Sequence, residues 1–264
     1  MATCSYSPFF DPGLNTSSGR LALLALSRHN AIPALLRKPD LSDPTDEITN
    51  TRFGSFPHGT LVNRQWGDQV VASKVEAREK RRGKKRKRPD SETESPTTAG
   101  IDEDDIGEDS LAFEAASSGF VHLLPPTPEL WTASLPHRTQ VVYPRDYSYI
   151  LQRLHARPGR TIIEAGAGSG SFTHAAARAV FSGSTTQCSN GKVYSFEYHE
   201  PRFERLKQEI HDHQLGDVVH ITHRDVYEKG FILDDGRSPQ ADAVFFDLPA
   251  PWYVFILRCS IIND

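Results

Sequence analysis

The sequence predicts an α/β protein in which a parallel, doubly wound sheet follows a small β-rich domain. The first observation is that strand-like and helix-like segments alternate through 151–264, and the strand-like runs are apolar enough to be buried on both faces. The second is that 1–76 contains short apolar runs separated by Pro, Gly and Asn, a pattern typical of short strands joined by turns. The third is an abrupt change of composition at 77–110, which separates the two regions.

The β-rich region, 1–76, has three runs that we interpret as strands: Leu21–Leu26, Ile32–Leu36 and Gln69–Ala72. Between them, Arg52–His58 (RFGSFPH) combines Gly, Pro and aromatic residues, which predicts a structured loop rather than a flexible one. We therefore expect this region to form a small domain that ends at residue 76.

A charged insert occupies 77–110. Eight residues of Lys80–Arg88 are Lys or Arg, and the stretch that follows is acidic. The insert has almost no large apolar residue, so burial cannot offset the entropy of ordering and we predict disorder. The basic half suits a nuclear localisation signal or a nucleic-acid contact, and we favour the nuclear signal. The alternative is a solvated loop whose acidic half neutralises its basic half.

The remaining region, 111–264, is predicted to be the α/β domain together with its N-terminal lead-in. Its strand-like runs alternate with amphipathic helical segments. The predicted strands are Thr161–Ala165, Lys192–Glu197, Val218–Thr222 and Ala241–Asp247. The predicted helices are Ser171–Phe181 and Pro201–His213.

Composition argues against several classes of protein. Cys4, Cys188 and Cys259 lack metal-ligand spacing and cannot all pair, so we expect free thiols, a reducing compartment and no metal site. The N-terminus lacks a basic start followed by an apolar segment, and no apolar run approaches the roughly 18–20 residues of a membrane span. We therefore expect a soluble intracellular protein with no membrane partner. The net charge of −4 does not by itself indicate any partner.

The most informative segment is a Gly-rich turn in Thr161–Ser171 (TIIEAGAGSGS). Three glycines at alternate positions, Gly166, Gly168 and Gly170, follow a strand and open a helix, where they permit tight turning and close approach of a ligand. An ordinary turn rarely needs three glycines, and the dinucleotide fingerprint GxGxxG would need a glycine at the next position. Glu164 favours another ligand, because a carboxylate suits the cationic methionine end of S-adenosylmethionine and would repel a pyrophosphate.

Two later strand ends carry acids that suit the rest of this cofactor. Glu197 ends the second strand, where a carboxylate can accept hydrogen bonds from ribose hydroxyls, a role shared with nicotinamide enzymes. Taken alone, Glu197 would be a surface acid, but its position after the Gly-rich turn favours the functional interpretation. Beyond the third strand, Asp225 can accept a hydrogen bond from the adenine amine or cap a helix, and the two roles are compatible. Val226 would pack on the adenine ring.

The fourth strand ends in the turn Asp247–Trp252 (DLPAPW). An acid at a strand tip, two prolines and an aromatic residue resemble the [DN]PP[FYW] arrangement of methyltransferases that act on base nitrogens. A carboxylate that accepts the proton or hydrogen bond of an amine makes the conjugated ring nitrogen more nucleophilic, and Trp252 can pack against a base that has left its stack. The alternative is a plain turn with Trp252 in the core, which we would prefer without the Gly-rich turn upstream.

Taken together, these residues point to one family. The sequence resembles the catalytic subunit of the eukaryotic tRNA (adenine-N1)-methyltransferase that modifies adenine 58 in the T-loop. The likeness rests on four long segments and on the N-terminal run DEITNTRFGSFPHGTLVNRQWGDQV. The four segments are Pro126–Asp146, Arg157–Arg178, Phe196–Arg202 and Ala241–Trp252.

The resemblance implies a Rossmann-like class I methyltransferase sheet preceded by a small β-barrel-like domain, with S-adenosylmethionine as the cofactor. Residues of the Gly-rich turn and of the later strand ends would bind that cofactor. They are Ser169, Gly170, Ser171, Glu197, Arg202, Asp225 and Val226. The resemblance also brings the hydrophobic residue Val142 against the cofactor. Asp247 is the implied catalytic carboxylate, where cofactor and target adenine meet.

The resemblance further implies contacts with tRNA by Gln140–Pro144 and by residues near Ser27–His29. It implies a nuclear complex with a homologous non-catalytic subunit, as a heterotetramer of two copies of each. The partner's lineage loses the Gly-rich turn and the acid at the position of Asp247. Both are present here, which favours the catalytic type.

The sequence departs from the family pattern in two places. The insert at 77–110 is not part of the family's core pattern. After Trp252 the chain reads YVFILRCSIIND, without the helix and last strands that a seven-stranded class I sheet requires, so we expect the fourth strand to be an apolar sheet edge. The alternatives to an active enzyme are a truncated inactive fragment and a non-catalytic tRNA-binding subunit. A methyltransferase for another substrate and a nicotinamide oxidoreductase fit Asp247 and Glu164 less well.

Overall fold

The computed structural model describes residues 6–27, 30–37, 47–73, 115–135, 140–183 and 191–257. Two sheets dominate these residues: an antiparallel sheet of six strands and a parallel sheet of four. The charged insert, all three cysteines and residues 258–264 lie outside the described residues. The sequence-based expectations for those parts of the chain therefore stay predictions.

The antiparallel sheet is built mostly from the N-terminal region. Its strands are β1 (Leu21–Ser27), β2 (Asn30–Leu35), β3 (Ile48–Thr51), β4 (Gly54–Pro57), β5 (Gln69–Ser73) and β6 (Ala115–Leu124), with the short helix α1 (His58–Leu61) after β4. The order is β2-β1-β6-β5-β4-β3, and every neighbouring pair is antiparallel. The three strands predicted here are confirmed, whereas the predicted structured loop Arg52–His58 contains β4 and the first residue of α1.

Strand β6 corrects the predicted domain boundary. The sequence predicts that 111–124 belongs to the α/β domain, but β6 lies in the middle of the antiparallel sheet, between β1 and β5. Val121 and Leu123 of β6 are fully buried in one cluster with Leu24 and Phe56. Because alternate residues of a strand share a face, this pattern needs the antiparallel sheet as its partner. The β-rich domain therefore takes residues from both sides of the insert.

The parallel sheet confirms the predicted α/β architecture. Its strands are β7 (Thr161–Ala165), β8 (Lys192–Glu197), β9 (Val219–His223) and β10 (Ala243–Phe246), in the order β10-β7-β8-β9. The helices of this region are α2 (Pro128–Ser134), α3 (Pro144–Arg153), α4 (Ser171–Val180), α5 (Glu200–Asp212), α6 (Val226–Lys229) and α7 (Pro251–Leu257). The four strands and two helices predicted here are found within two residues of their expected ends, and β10 is an edge of the described sheet.

Both faces of the parallel sheet are covered, which explains why β7 and β10 carry apolar residues at successive positions. In β7, the neighbours Ile162 and Ile163 point to opposite faces and are both completely buried. Ile162 packs in a cluster with Phe172 of α4, whereas Ile163 packs in another with Phe196 and Phe231. Packing on both faces therefore fixes the sheet, and the ends of its strands remain accessible for a functional site.

Residues 6–10 give a second correction, because they pack with the parallel sheet rather than with the domain predicted over 1–76. Thr16, in contrast, donates hydrogen bonds to the carbonyls of Leu61 and Arg64 in the β-rich region. Phe9 belongs to the same core cluster as Trp131 of α2, and their ring centroids lie 6.4 Å apart. Phe10 stacks on Phe181, with centroids 4.1 Å apart. Composition predicts that such aromatic residues are buried, but it does not indicate which sheet they pack against.

Candidate functional site

A pocket of about 550 Å³ opens at the carboxyl ends of the parallel strands. All four strands contribute, because the carboxyl ends of parallel strands meet at one edge of the sheet. The lining residues are Gln140, Gly166, Gly168, Phe196, Glu197, Tyr198, Arg202, Arg224, Asp225, Val226, Tyr227, Asp247, Leu248 and Pro249. Seven of the twelve predicted site residues are in this lining; the other five, Val142, Glu164, Ser169, Gly170 and Ser171, are not.

Gly166 lets the loops after β7 and β10 cross in contact. Its φ is +87°, and a Cβ atom there would lie 2.2 Å from the backbone oxygen of Asp247. The loop after β10 is also tied to the end of β7, since the Asp247 amide donates a hydrogen bond to Ala165 O (2.9 Å). The Gly166 amide in turn ties the Gly-rich turn to β8 by donating to Phe196 O (2.9 Å). A side chain at position 166 would therefore push the predicted catalytic acid away from the Gly-rich turn.

Glu197 forms a rigid part of the pocket wall. Its side chain is almost fully buried, and Oε2 accepts a hydrogen bond from the Gly168 amide at 2.8 Å. Oε1 accepts from the amide of His199 and, through Nε and Nη2, from Arg202 at 3.2 and 2.9 Å. Arg202 lines the pocket as predicted, and it also holds the carboxylate by an ion pair in which two of its nitrogens donate to one oxygen.

Asp225 and Val226 lie together on one side of the pocket. The Asp225 side chain caps α6, because Oδ1 accepts a hydrogen bond from the Tyr227 amide at 2.9 Å. The same residue lines the pocket, so capping and ligand contact are compatible in this geometry. Val226 is buried but still contributes to the lining, which offers an apolar surface to a flat ring.

Asp247 stands at the end of β10 as an exposed residue of the pocket rim. The turn after it enters α7, and the Ala250 amide donates a hydrogen bond to the hydroxyl of Tyr227 at 3.1 Å. Trp252 is 58% exposed, so the alternative that places it in the core is not supported. Trp252 is not among the lining residues, and its predicted contact with a base stays a prediction.

Glu164 is buried and does not line the pocket. It lies two positions after Ile162 in β7 and so points to the same face of the sheet, where Oε2 accepts hydrogen bonds from Thr173 of α4 and from Ser195, both at 2.6 Å. Burial raises the pKa of Glu164 to about 7; the two hydrogen bonds oppose this shift, and the carboxylates of Asp247 and Glu197 add to it. The predicted binding of a cationic ligand by Glu164 stays a prediction.

The end of the Gly-rich turn lies behind the pocket rather than on its surface. Ser169 and Ser171 are buried, and the Ser171 hydroxyl donates a hydrogen bond to the Val142 carbonyl at 2.8 Å. The partly buried Val142 side chain packs against the core cluster around Phe172, and its predicted contact with a cofactor stays a prediction. Through this bond the segment Gln140–Pro144 is tied to the start of α4, and Gln140 reaches the pocket.

Several lining residues were missed by sequence reasoning: Gln140, Phe196, Tyr198, Arg224, Tyr227, Leu248 and Pro249. All except Gln140 lie at a strand's carboxyl end or within a few residues of it, which is a usable signal once the strands are known. Of the segments implied to contact tRNA, positions 28 and 29 lie outside the described residues.

Two further features of the described residues concern metal ions and membranes. Within them, no group of three or more His, Cys, Asp or Glu side chains is arranged to hold a metal ion. None of the helices in the same ranges combines the length and apolar character needed to cross a membrane.

Comparison with known proteins assigns the family. The model of the family described as "tRNA methyltransferase complex GCD14 subunit" matches residues 119–261, more than half of the chain. The chain belongs to this family. The matched range includes all of the parallel sheet and every residue that lines the pocket.

The family's curated relatives include proteins named tRNA (adenine(58)-N(1))-methyltransferase catalytic subunit. The chain is 53% identical to the one from Aspergillus fumigatus (93% of this chain, 51% of the relative) and 54% identical to the one from Aspergillus oryzae (94% and 54%). It is 38% identical to the Candida albicans protein (97% and 59%). The chain thus spans about half the length of these two Aspergillus relatives.

Solved structures agree with the fold. An S-adenosylmethionine-dependent O-methyltransferase from Thermotoga maritima superposes with a TM-score of 0.61 at 20% identity, over 94% of this chain and 69% of that one. The tRNA (m1A58) methyltransferase TrmI from Aquifex aeolicus superposes with a TM-score of 0.53 at 16% identity, over 92% and 70%. At these identities the likeness establishes the α/β fold and its preceding β-rich domain.

Proposed function

We propose that this chain is the catalytic subunit, or the part of it that contains the active site, of a tRNA (adenine-58-N1)-methyltransferase. Its reaction would be the transfer of a methyl group from S-adenosylmethionine to N1 of adenine 58 in the T-loop. One observation carries the proposal: in a chain of this family, Glu197, Asp225, Val226 and Asp247 surround a single pocket at the carboxyl ends of the parallel strands.

The residues of the pocket fit S-adenosylmethionine. A volume of about 550 Å³ suits a ligand of nucleoside size. Glu197 offers a fixed carboxylate to ribose hydroxyls, while Asp225 offers an acceptor to the adenine amine and Val226 an apolar surface to its ring. Gly166 lets the loops after β7 and β10 meet beside the pocket, where a Cβ would collide with the backbone of Asp247. Asp225 and Asp247, which both line the pocket, favour a ligand with positive charge.

The chain's own residues would act mainly on the target base. When bound, S-adenosylmethionine supplies a methyl group on a positively charged sulfur, so the nucleophile needs activation and alignment rather than a covalent enzyme group. Asp247 accepts a hydrogen bond from the exocyclic amine of adenine, which increases the electron density on N1. The carboxylate also offsets the positive charge that methylation leaves on the base.

The partners belong to the same proposal. The family description as a subunit of a tRNA methyltransferase complex supports tRNA as the substrate and a second subunit as the partner. We extend this to a heterotetramer with two copies of a homologous non-catalytic subunit, located in the nucleus. The dense basic run Lys80–Arg88 supports nuclear import.

The test is methyl transfer to an unmodified tRNA transcript by the chain, co-expressed with its candidate partner subunit. Wild type should label adenine 58 and should not label a transcript that carries uridine there. Asp247→Ala should lower the rate by about 100-fold to 10,000-fold, and Asp247→Asn should recover little, because an amide cannot stabilise positive charge.

Three outcomes contradict the proposal at different levels. Full activity of Asp247→Ala would exclude the role given to that carboxylate. If the wild-type chain does not bind S-adenosylmethionine at all, the alternative of a truncated inactive fragment replaces the enzyme. A non-catalytic tRNA-binding subunit would bind the transcript and show no Asp247-dependent labelling.

A further inference from the structure

Two histidines form a buried pair beneath the Gly-rich turn. His174 lies in the first half of α4 and is completely buried, and His213 directly follows α5 and is 3% exposed. The Nε2 atom of His174 lies 2.8 Å from the Nδ1 atom of His213. Polar atoms in a core are stabilised only when they are hydrogen-bonded, so the pair needs a defined arrangement of its protons.

The positions of the protons follow from a third group, the backbone carbonyl of Gly170. His174 Nδ1 lies 2.6 Å from the carbonyl oxygen of Gly170. A carbonyl can only accept, so Nδ1 carries the hydrogen and donates it. In a neutral ring this leaves His174 Nε2 as an acceptor, and it accepts from the Nδ1 hydrogen of His213. Two donated hydrogen bonds therefore run from the end of α5 to the backbone of the Gly-rich turn.

Gly170 is the point where this chain of hydrogen bonds meets the turn. It begins α4 in a left-handed conformation (φ +78°), and no side chain caps the helix at this position. A Cβ there would lie 2.4 Å from Cδ1 of Leu206 in α5. The carbonyl of Gly170 accepts both the His174 side chain and the His174 amide (3.0 Å), so His174 and Leu206 hold the residue from two sides.

The surroundings keep the two rings in place. Phe9 lies against both, with centroids 5.0 Å from His174 and 5.2 Å from His213, and Trp131 lies 5.5 and 4.6 Å away. The carbonyl of His213 also accepts a hydrogen bond from the hydroxyl of Ser7 at 2.6 Å. The N-terminal segment, α2, α4 and α5 therefore meet at this pair.

We infer that His174 is a positioning residue for the cofactor pocket. Its Nδ1–H fixes the carbonyl of Gly170 and with it the preceding turn, whose Gly166 and Gly168 line the pocket. His213 acts one step further away by orienting the His174 ring. The inference rests on the proposed function, because it assigns to that pocket the binding of S-adenosylmethionine. The competing explanation is that the pair only fills the core.

Three substitutions of His174 separate the two explanations. His174→Asn keeps an amide donor near the position of Nδ1, and so keeps the bond to Gly170. His174→Gln moves the amide towards the position of Nε2 and loses that bond. His174→Phe keeps the ring volume and removes both nitrogens. A core-filling role predicts losses that follow volume, whereas a positioning role predicts losses that follow the Nδ1 donor.

The first measurement is the dissociation constant of S-adenosylmethionine by calorimetry, with the melting temperature of each variant recorded beside it. We expect His174→Asn to bind within about threefold of wild type, and His174→Gln and His174→Phe to bind at least about tenfold more weakly. Wild-type affinity in His174→Phe would overturn the inference. So would equal losses in the Asn and Gln variants.

The second measurement needs no bound cofactor, so it separates failure of this inference from failure of the proposed function. Amide hydrogen exchange is followed at Gly166–Ser171 in the unliganded chain. We expect faster exchange in His174→Gln and His174→Phe and wild-type exchange in His174→Asn. Unchanged exchange in all three variants would overturn the inference, even if wild type binds no S-adenosylmethionine.

Discussion

The two sheets of this protein differ in strand direction, and the site follows from that difference. In the antiparallel sheet, adjacent strands run in opposite directions, so the connections between them are divided between its two edges. In the parallel sheet, β10, β7, β8 and β9 all end at one edge, and their loops form the pocket together. Strand direction alone therefore concentrates functional residues in the second sheet.

The sheets also differ in how far along the chain their neighbours lie. In the parallel sheet, β7 pairs with β8 and β8 pairs with β9, and a single helix connects the two strands of each pair. The antiparallel sheet depends on β6, which pairs Leu123 with Leu24 across the whole charged insert. The antiparallel sheet is thus completed by a long-range contact across the insert, whereas among the described strands of the parallel sheet only β10, which pairs with β7, closes a loop of similar length.

Each sheet has a glycine at which a Cβ would collide with the backbone of a neighbouring segment, and this gives the largest predicted effect. A Cβ on Gly119 of β6 would lie 1.5 Å from Phe53 O, and one on Gly166 would lie 2.2 Å from Asp247 O. Backbone cannot move aside as a flexible side chain does. We expect Gly119→Ala and Gly166→Ala each to lower the free energy of unfolding by more than about 3 kcal/mol, measured by urea denaturation.

The two glycine variants should differ in ligand binding. Gly119→Ala changes the antiparallel sheet only, so the molecules that remain folded should bind S-adenosylmethionine with nearly wild-type affinity. Gly166→Ala should lose both stability and binding. Gly183→Ala is the control, since φ is +74° there but no atom lies within 4 Å of a new Cβ; about 1–2 kcal/mol is expected. Equal effects on binding from Gly119→Ala and Gly166→Ala would contradict the separation of roles.

Sequence reasoning succeeded better in the parallel sheet than in the antiparallel one. Buried parallel strands are continuous apolar runs, and the Gly-rich turn marks the end of the first of them, so their positions are visible in the sequence. Strands β3 (ITNT) and β4 (GSFP) have only four residues and little apolar character. Strand β6 follows a long charged segment, and its partner strands cannot be identified from local composition.

Within the site, residues fixed by their own strand ends could be predicted, and residues oriented by neighbours could not. Glu197, Asp225 and Asp247 lie at strand ends and line the pocket as expected. Glu164 lies one position before the end of β7, and strand alternation points it to the face that α4 covers; its hydrogen-bond partner Ser195 lies on the neighbouring strand, and no local pattern reveals that partner. His174 and His213 are 39 positions apart in the chain, so their contact also cannot be predicted without the folded structure.

The second prediction concerns the carboxyl buried in the parallel sheet. The pKa of Glu164 is raised from 4.5 to about 7 because burial disfavours the charged form. The folded state therefore binds this proton more tightly than the unfolded chain does. Its contribution to the unfolding free energy is full below pH 4.5, falls as the pH rises to about 7 and then levels. Between these two pH values the contribution to the unfolding free energy changes by roughly 3 kcal/mol.

Glu164→Gln removes the titration and keeps an oxygen that can accept from Thr173 and Ser195. Between pH 5 and 8, wild type should lose roughly 2–3 kcal/mol of unfolding free energy relative to this variant, measured by urea denaturation. Glu129→Gln, which alters an exposed ion pair with Arg178, should show a difference below about 1 kcal/mol. If wild type and Glu164→Gln instead showed parallel pH profiles, titration of the buried Glu164 carboxyl could not be the cause of the pH-dependent loss of stability.

The smallest predicted effect concerns the loops that share the sheet edge. The hydroxyl of Tyr227, beside Val226, accepts the Ala250 amide at 3.1 Å and so ties the predicted adenine-binding loop to the turn that follows Asp247. Tyr227→Phe removes one hydrogen bond, worth about 1 kcal/mol, and lets that turn move. We expect single-turnover methyl transfer to fall about fivefold, with the affinity for S-adenosylmethionine nearly unchanged.

Tyr253→Phe is the matched control, because it removes the same hydroxyl from a ring that is 60% exposed and adjoins the same turn. Its transfer rate should stay within about twofold of wild type. Equal rates for Tyr227→Phe and wild type would mean that Asp247 is held by backbone alone, through its amide and Ala165 O. A loss of cofactor affinity without a slower transfer step would instead assign Tyr227 to the adenine side of the pocket. The separate measurement of binding and transfer therefore shows which of the two loops depends on Tyr227.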